Sequence, residues 1–175
     1  MLKKTILLTP LKYGAFGGVL SIALFLLLYY IHENPLIAVK KLPFAIILLP
    51  LFIFFSIKEF RDHKNNGTLH FWQGLAIGFI NYTIIAILSS LFIGIFLTYF
   101  DPGLLKDFID KSILLIEANK DQTIETFGQE TYEQLLLDTK NTTVRVIALD
   151  DFWRKIFIGL ITSFIISIIL RKNNL

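Results

Sequence analysis

Residues 71–99 read FWQGLAIGFINYTIIAILSSLFIGIFLTY and contain no Asp, Glu, Lys, Arg or His. About 20 apolar residues in a helix cross roughly 30 Å of hydrocarbon, so this stretch is longer than a bilayer requires and should tilt or project. Lipid offers no water to a peptide group, and a lone strand would leave its N–H and C=O groups unpaired; the segment must be a helix. That reading decides the fold class: an all-α integral membrane bundle.

Three more segments follow the same logic. Residues 13–31 carry no charge, and Tyr13, Tyr29 and Tyr30 mark their ends as interfacial aromatics do. Residues 42–57 are slightly short for a span, with Pro43 suited to a first helical turn and Pro50 expected to kink the helix. Residues 152–170 lie between Arg154-Lys155 and Arg171-Lys172. Met1-Leu2-Lys3-Lys4 resembles the start of a signal peptide, but no small-x-small cleavage site follows Ile31, so the first span is read as retained. The expectation is four transmembrane helices in a single membrane domain over residues 1–175, with an extramembrane helical insertion between the third and fourth.

That insertion, residues 101–151, holds five basic and eleven acidic residues, a net of −6. The whole chain is +3, so the remainder is +9. A basic remainder around apolar spans suits a cytoplasmic bilayer face better than nucleic acid. Lys3, Lys4, Lys12, Lys58, Arg61, Lys64, Arg171 and Lys172 fall on one side of the spans, and Lys40, Lys41, Arg154 and Lys155 on the other. This bias favours both termini in the cytoplasm and the acidic loop outside the membrane. Leu105, Phe108, Ile109, Ile113 and Ile116 give the loop one apolar helical face. Asp101 and Pro102 form its start and Asn119-Lys120-Asp121 a break. A second amphipathic stretch runs over 123–138, and Asn141-Thr142-Thr143 precede a third segment. These faces cover the end of the bundle, lie on the bilayer, or dock a protein partner over residues 104–138.

Small residues recur four apart at Gly14 and Gly18, at Gly74 and Gly78, and at Gly159, Ser163 and Ser167. They let helices approach closely within one chain, with a homodimer as the alternative. As drawn, the spans contain no ionisable side chain, which argues against coupled transport. Asn81 is the strongest polar residue at depth and is read as an interhelical hydrogen bond. Asp150-Asp151 reads as a cap for the fourth span. Cysteine is absent, His32, His63 and His70 form no ligand pair, and no nucleotide or nucleophile motif occurs. No metal or cofactor is therefore expected.

The most distinctive segment joins the second and third spans. It contains Lys58, Glu59, Phe60, Arg61 and Asp62, then Asn66-Gly67-Thr68-Leu69-His70-Phe71-Trp72-Gln73-Gly74. Asn66-Gly67 tolerates positive φ, and Thr68 is a candidate cap for the next helix. Residues 57–82, with the pattern K-E-F-R-D, N-G-x-L-x-F-x-Q-G and a following G-F, resemble the bacterial membrane family called domain of unknown function 4199. Tyr99-Phe100-Asp101-Pro102 and the order of spans are similar to that family too. The resemblance implies a multi-pass protein of the bacterial inner membrane and brings no activity, substrate or cofactor.

The residues themselves favour a non-enzymatic protein acting by association through its acidic loop. A small transporter or lipid-handling protein is the alternative. An interfacial enzyme built from Arg61, Asp62, His63 and His70 is the weakest reading.

Overall fold

The computed structural model describes residues 2–31, 33–41 and 43–172, with side chains described at 6–31, 33–38 and 48–172. His32 and Leu42, and the side chains of Lys3, Lys4, Lys40, Lys41 and Pro43, lie outside the described residues, and so do the readings that rest on them. Eight α-helices are present among the described residues: α1 (Leu2–Tyr30), α2 (Pro35–Lys41), α3 (Pro43–Glu59), α4 (Phe71–Ile95), α5 (Gly103–Ala118), α6 (Lys120–Phe127), α7 (Gln129–Lys140) and α8 (Val144–Leu170). Single π-helical turns extend α3 over Phe60–Lys64 and α4 over Phe96–Phe100. The fold is all-α. Among the described residues the only β-type pairing is an isolated bridge between Leu69 and Lys172.

Three stretches are long and apolar enough to cross a membrane: Ile6–Tyr30, Phe71–Phe100 and Val144–Leu170. Their packing is inside-out relative to a water-soluble bundle. Phe16, Phe79, Leu91, Phe157, Ile161 and Ile169 face outward, while Asn81, Ser89, Asp151, Ser163 and Ser167 are buried. A helix in water would put its charges outside and its leucines inside. The reverse arrangement is stable where the surrounding medium is itself apolar and close packing, rather than the hydrophobic effect, joins the helices. The chain has the build of a multi-pass membrane protein.

α4 packs against α1 and α8, and α3 packs against all three. The α4–α8 contact is an antiparallel mesh of small residues. A Cβ added at Gly74 would lie 2.6 Å from Ser167 Oγ, one at Gly78 would lie 2.6 Å from Ser163 Cβ, and one at Gly159 would lie 2.6 Å from Tyr82 Cβ. Each step of four residues up α4 is matched by four residues down α8, so one register runs along the seam. α1 runs parallel to α4: a Cβ at Gly14 would meet Ile84 Cβ at 2.9 Å, and one at Gly18 would meet Leu88 Cβ at 2.9 Å. Gly14, Gly18, Gly78 and Gly159 thus serve close approach inside one chain.

α5 continues from the end of α4. The Asp101 carboxylate accepts the Leu104 N–H at 3.2 Å, and Leu104 and Phe108 are buried against Phe25, Phe96 and Ile147. α6 and α7 stand off from the long helices; Tyr132 is their only buried residue.

Four local readings need correction. The 123–138 stretch is two helices, because Gly128 at φ 89° ends α6 and begins α7. The residue before α4 is His70 rather than Thr68; its N–H donates to Gln73 Oε1 at 3.0 Å. α2 was not anticipated, although Asn34-Pro35 is a legible start: Asn34 Oδ1 accepts the Leu36 N–H at 3.0 Å, and Pro35 takes the first position. Asp150-Asp151 caps nothing. Helix α8 begins at Val144, with the Thr143 hydroxyl accepting the Val146 N–H, so the two aspartates sit about two turns inside it.

Candidate functional site

The turn between α3 and α4 is one candidate, and its geometry is that of a staple. Glu59 accepts from Lys12 Nζ at 2.8 Å and from the Tyr13 hydroxyl at 2.7 Å, tying α3 to α1. Arg61 donates to Asp62 at 2.6 Å and, at 3.5 Å, to the Leu170 carbonyl at the end of α8. That Arg61 hydrogen bond holds the Asp62 carboxyl below the usual carboxylate range. Asn66 and Gly67 turn the chain at φ 51° and 76°, and the Gly67 N–H closes on the Arg61 carbonyl. Gln73 also accepts from Asn65 at 3.2 Å, while Gly74 admits Ser167. Lys58 lies over the Phe54 ring. Each polar group here is spent on joining helix ends. His63 and His70 are exposed on this turn.

Asn81 is fully buried between α4 and α3. Its Nδ2 points to the Phe52 carbonyl at 3.5 Å, a weak contact, and its Oδ1 has no partner among the described residues.

The second candidate lies at the other end of the long helices and is absent from the sequence reading. Asp151 is 4% exposed. Its Oδ2 accepts from Ser89 of α4 at 2.9 Å, and its Oδ1 takes Arg154 at 3.3 Å and a close ion pair with Lys155. Arg154 and Lys155 sit one turn further along α8, so helical periodicity brings all three to one face. Asp150, one residue earlier and about 100° around the helix, is exposed. The expectation of spans without ionisable groups is overturned: these charges lie within the Val144–Leu170 stretch.

The cluster forms one wall of a cavity of about 190 Å³. Ser21 and Phe25 of α1, Leu36 of α2, Leu48 and Leu49 of α3, Ile85 and Phe92 of α4, and Phe108 of α5 complete the lining. The surface is mostly hydrocarbon with one polar, charged corner. Such a combination fixes the orientation of a ligand that has an apolar body.

α5 closes over this end through specific bonds. Asn34 Nδ2 donates to the Leu104 carbonyl at 3.1 Å and to Asp107 Oδ2 at 2.8 Å, and the Tyr29 hydroxyl donates to Asp101 at 3.0 Å. The Lys111 ion pair, and then the Asn34 bond, hold the Asp107 carboxyl below its usual range. No group of three or more His, Asp or Glu side chains suited to a metal ion occurs among the described residues.

A family model described as "Protein of unknown function (DUF4199)" matches residues 12–172. No curated protein and no solved structure matches the chain.

Proposed function

The chain belongs to the DUF4199 family, whose description assigns no activity, and from the structure we propose a four-span protein of the bacterial inner membrane that binds a membrane-soluble molecule with an apolar body, without catalysing its conversion. The observation that carries this reading is the cavity walled by α1, α2, α3, α4, α5 and α8, with the buried Asp151 cluster at its edge. Ionisable groups are costly within a span and occur there chiefly to serve a function. A dry cavity of about 150 Å³ already takes up benzene, so 190 Å³ suits a ring or a length of hydrocarbon chain.

α3 supplies the proposed fourth span. Its 17 residues cover about 25 Å at 1.5 Å per residue, and the π-helical turn and interfacial lysines make up the remainder. It runs antiparallel to α1, since Lys12 and Tyr13 meet Glu59 while Gly17 meets Phe52. Both termini are then cytoplasmic and α5–α7 lie outside. The cysteine-free chain allows a direct check. Single cysteines at Glu33 and Glu125 should react with an impermeant maleimide from outside the cell, and one at Asn66 should not. Equal labelling at Glu33 and Asn66 removes the fourth span.

The binding reading is tested by gentle detergent exchange followed by mass spectrometry of what stays bound. The full chain should retain a hydrocarbon-bearing molecule, and Ser21→Phe, which fills the cavity, should lose it. Equal retention by both proteins defeats the reading.

A second reading, association with a protein partner, is favoured by exposed Leu114, Phe127 and Leu137 on the α5–α7 segment. A photocrosslinker at Phe127 that captures only lipid in native membranes removes it.

A further inference from the structure

Resting on the binding reading above, we propose that the cavity selects an anionic single-chain amphiphile, its acid group held by Arg154 and Lys155 and its chain lying among Phe25, Leu48 and Phe92. The argument is one of charge balance at a buried wall. Two cations converge on one buried carboxylate: Arg154 and Lys155 both meet Asp151 Oδ1, and Ser89 occupies Oδ2. The side chains of Asp151, Lys155 and Arg154 are 6%, 20% and 34% exposed, so the neutralised partner is the deepest and the cations project toward the opening. Asp150, the other acid at this corner, is exposed and has an interaction of its own. The buried wall therefore holds one positive charge more than Asp151 balances.

An excess charge taken out of water is costly unless paired, and a carboxylate or phosphate supplies the partner. Arg154 is suited to it, because its guanidinium presents donors in a planar fork of which Asp151 takes one, through Nη2. The apolar remainder of the lining excludes a free polar anion, which would find no further hydrogen bonds there. Head and tail are thus specified by the same cavity.

The test uses the full chain in nanodiscs of zwitterionic lipid, with laurate, dodecanol and dodecyltrimethylammonium as probes of equal chain length. Laurate should bind about tenfold or more tighter than dodecanol, the margin of a charge-assisted over a neutral hydrogen bond, and the cation should bind weakest. Arg154→Gln keeps the Lys155–Asp151 pair and so preserves folding, and it should cut the laurate preference several-fold while leaving dodecanol unchanged. If all three probes bind alike and Ser21→Phe abolishes them all, the cavity reading stands and the anion selectivity is overturned. If none binds, or if Ser21→Phe changes nothing, the cavity reading itself fails. A preference for laurate that survives Arg154→Gln in full also overturns the assignment.

Discussion

The two halves of the α4–α8 contact differ in kind although one register runs through both. In the half nearer Leu170, glycine faces serine or tyrosine at every fourth residue, and the helices touch so closely that no Cβ fits at Gly74, Gly78 or Gly159. In the half nearer Val144, the same helices carry Ser89, Phe92, Ile147, Asp151 and Lys155 around a cavity, and a Cβ at Gly94 would meet nothing closer than Ala148 at 3.8 Å. Side-chain size alone converts a sealed seam into a hollow. The tight half holds the helices in place, and the open half has room to bind.

The largest effect should come from the open half. Lys155→Met leaves Asp151 buried with only the half-exposed Arg154, and breaking a buried pair costs about 3–5 kcal/mol. Lys155→Met combined with Asp151→Leu should regain most of that loss. Unfolding in graded denaturing detergent supplies the full double-mutant cycle, and independent, additive effects would mean that the two charges do not interact.

The tight half predicts a contrast of glycines. Gly159→Val drives its side chain into Tyr82 and should cost about 1–3 kcal/mol by overpacking. Gly94→Ala should be neutral or stabilise by about 0.5–1 kcal/mol, since alanine has the higher helix propensity. Similar losses at both sites would erase the distinction between the halves.

The smallest effect concerns α5, which closes the open half. The Asp107 carboxyl is held below its unfolded value by Lys111 and Asn34. Its contribution is therefore complete above pH about 4, the unfolded carboxylate range, and fades as pH falls through the lower folded value. Amides of α5 should exchange hydrogen faster at pH 3 than at pH 6 after correction for intrinsic rates, and Asp107→Asn should reduce this difference. The seam at Gly74 and Gly78 should show no such change.

Much of the framework was legible in residue order. Uncharged runs locate the three long helices, because hydrocarbon tolerates no unpaired backbone group and little charge. The K-E-F-R-D and N-G-x-L-x-F-x-Q-G turn pointed to its family. The break near Asn119 is marked by residues that compete with helical hydrogen bonding. The binding corner escaped notice because Arg145, Asp150, Arg154 and Lys155 dilute the apolar pattern of α8 and push its apparent start to Phe152. The true start is the Thr143 cap, a signal present in Asn141-Thr142-Thr143 but not carried forward into the span.

By itself the sequence determined the medium the chain inhabits and the segments that must be helical, since solvation and backbone hydrogen bonding depend on local composition. Only the tertiary structure decided that Asp151 turns inward while Asp150 turns out, and that Ser89, sixty-two positions away, meets it. Neighbouring residues differ by about 100° around a helix, and the rotation that buries one of them is set by packing against other helices. Small residues close one end of that packing and larger ones hold the other open.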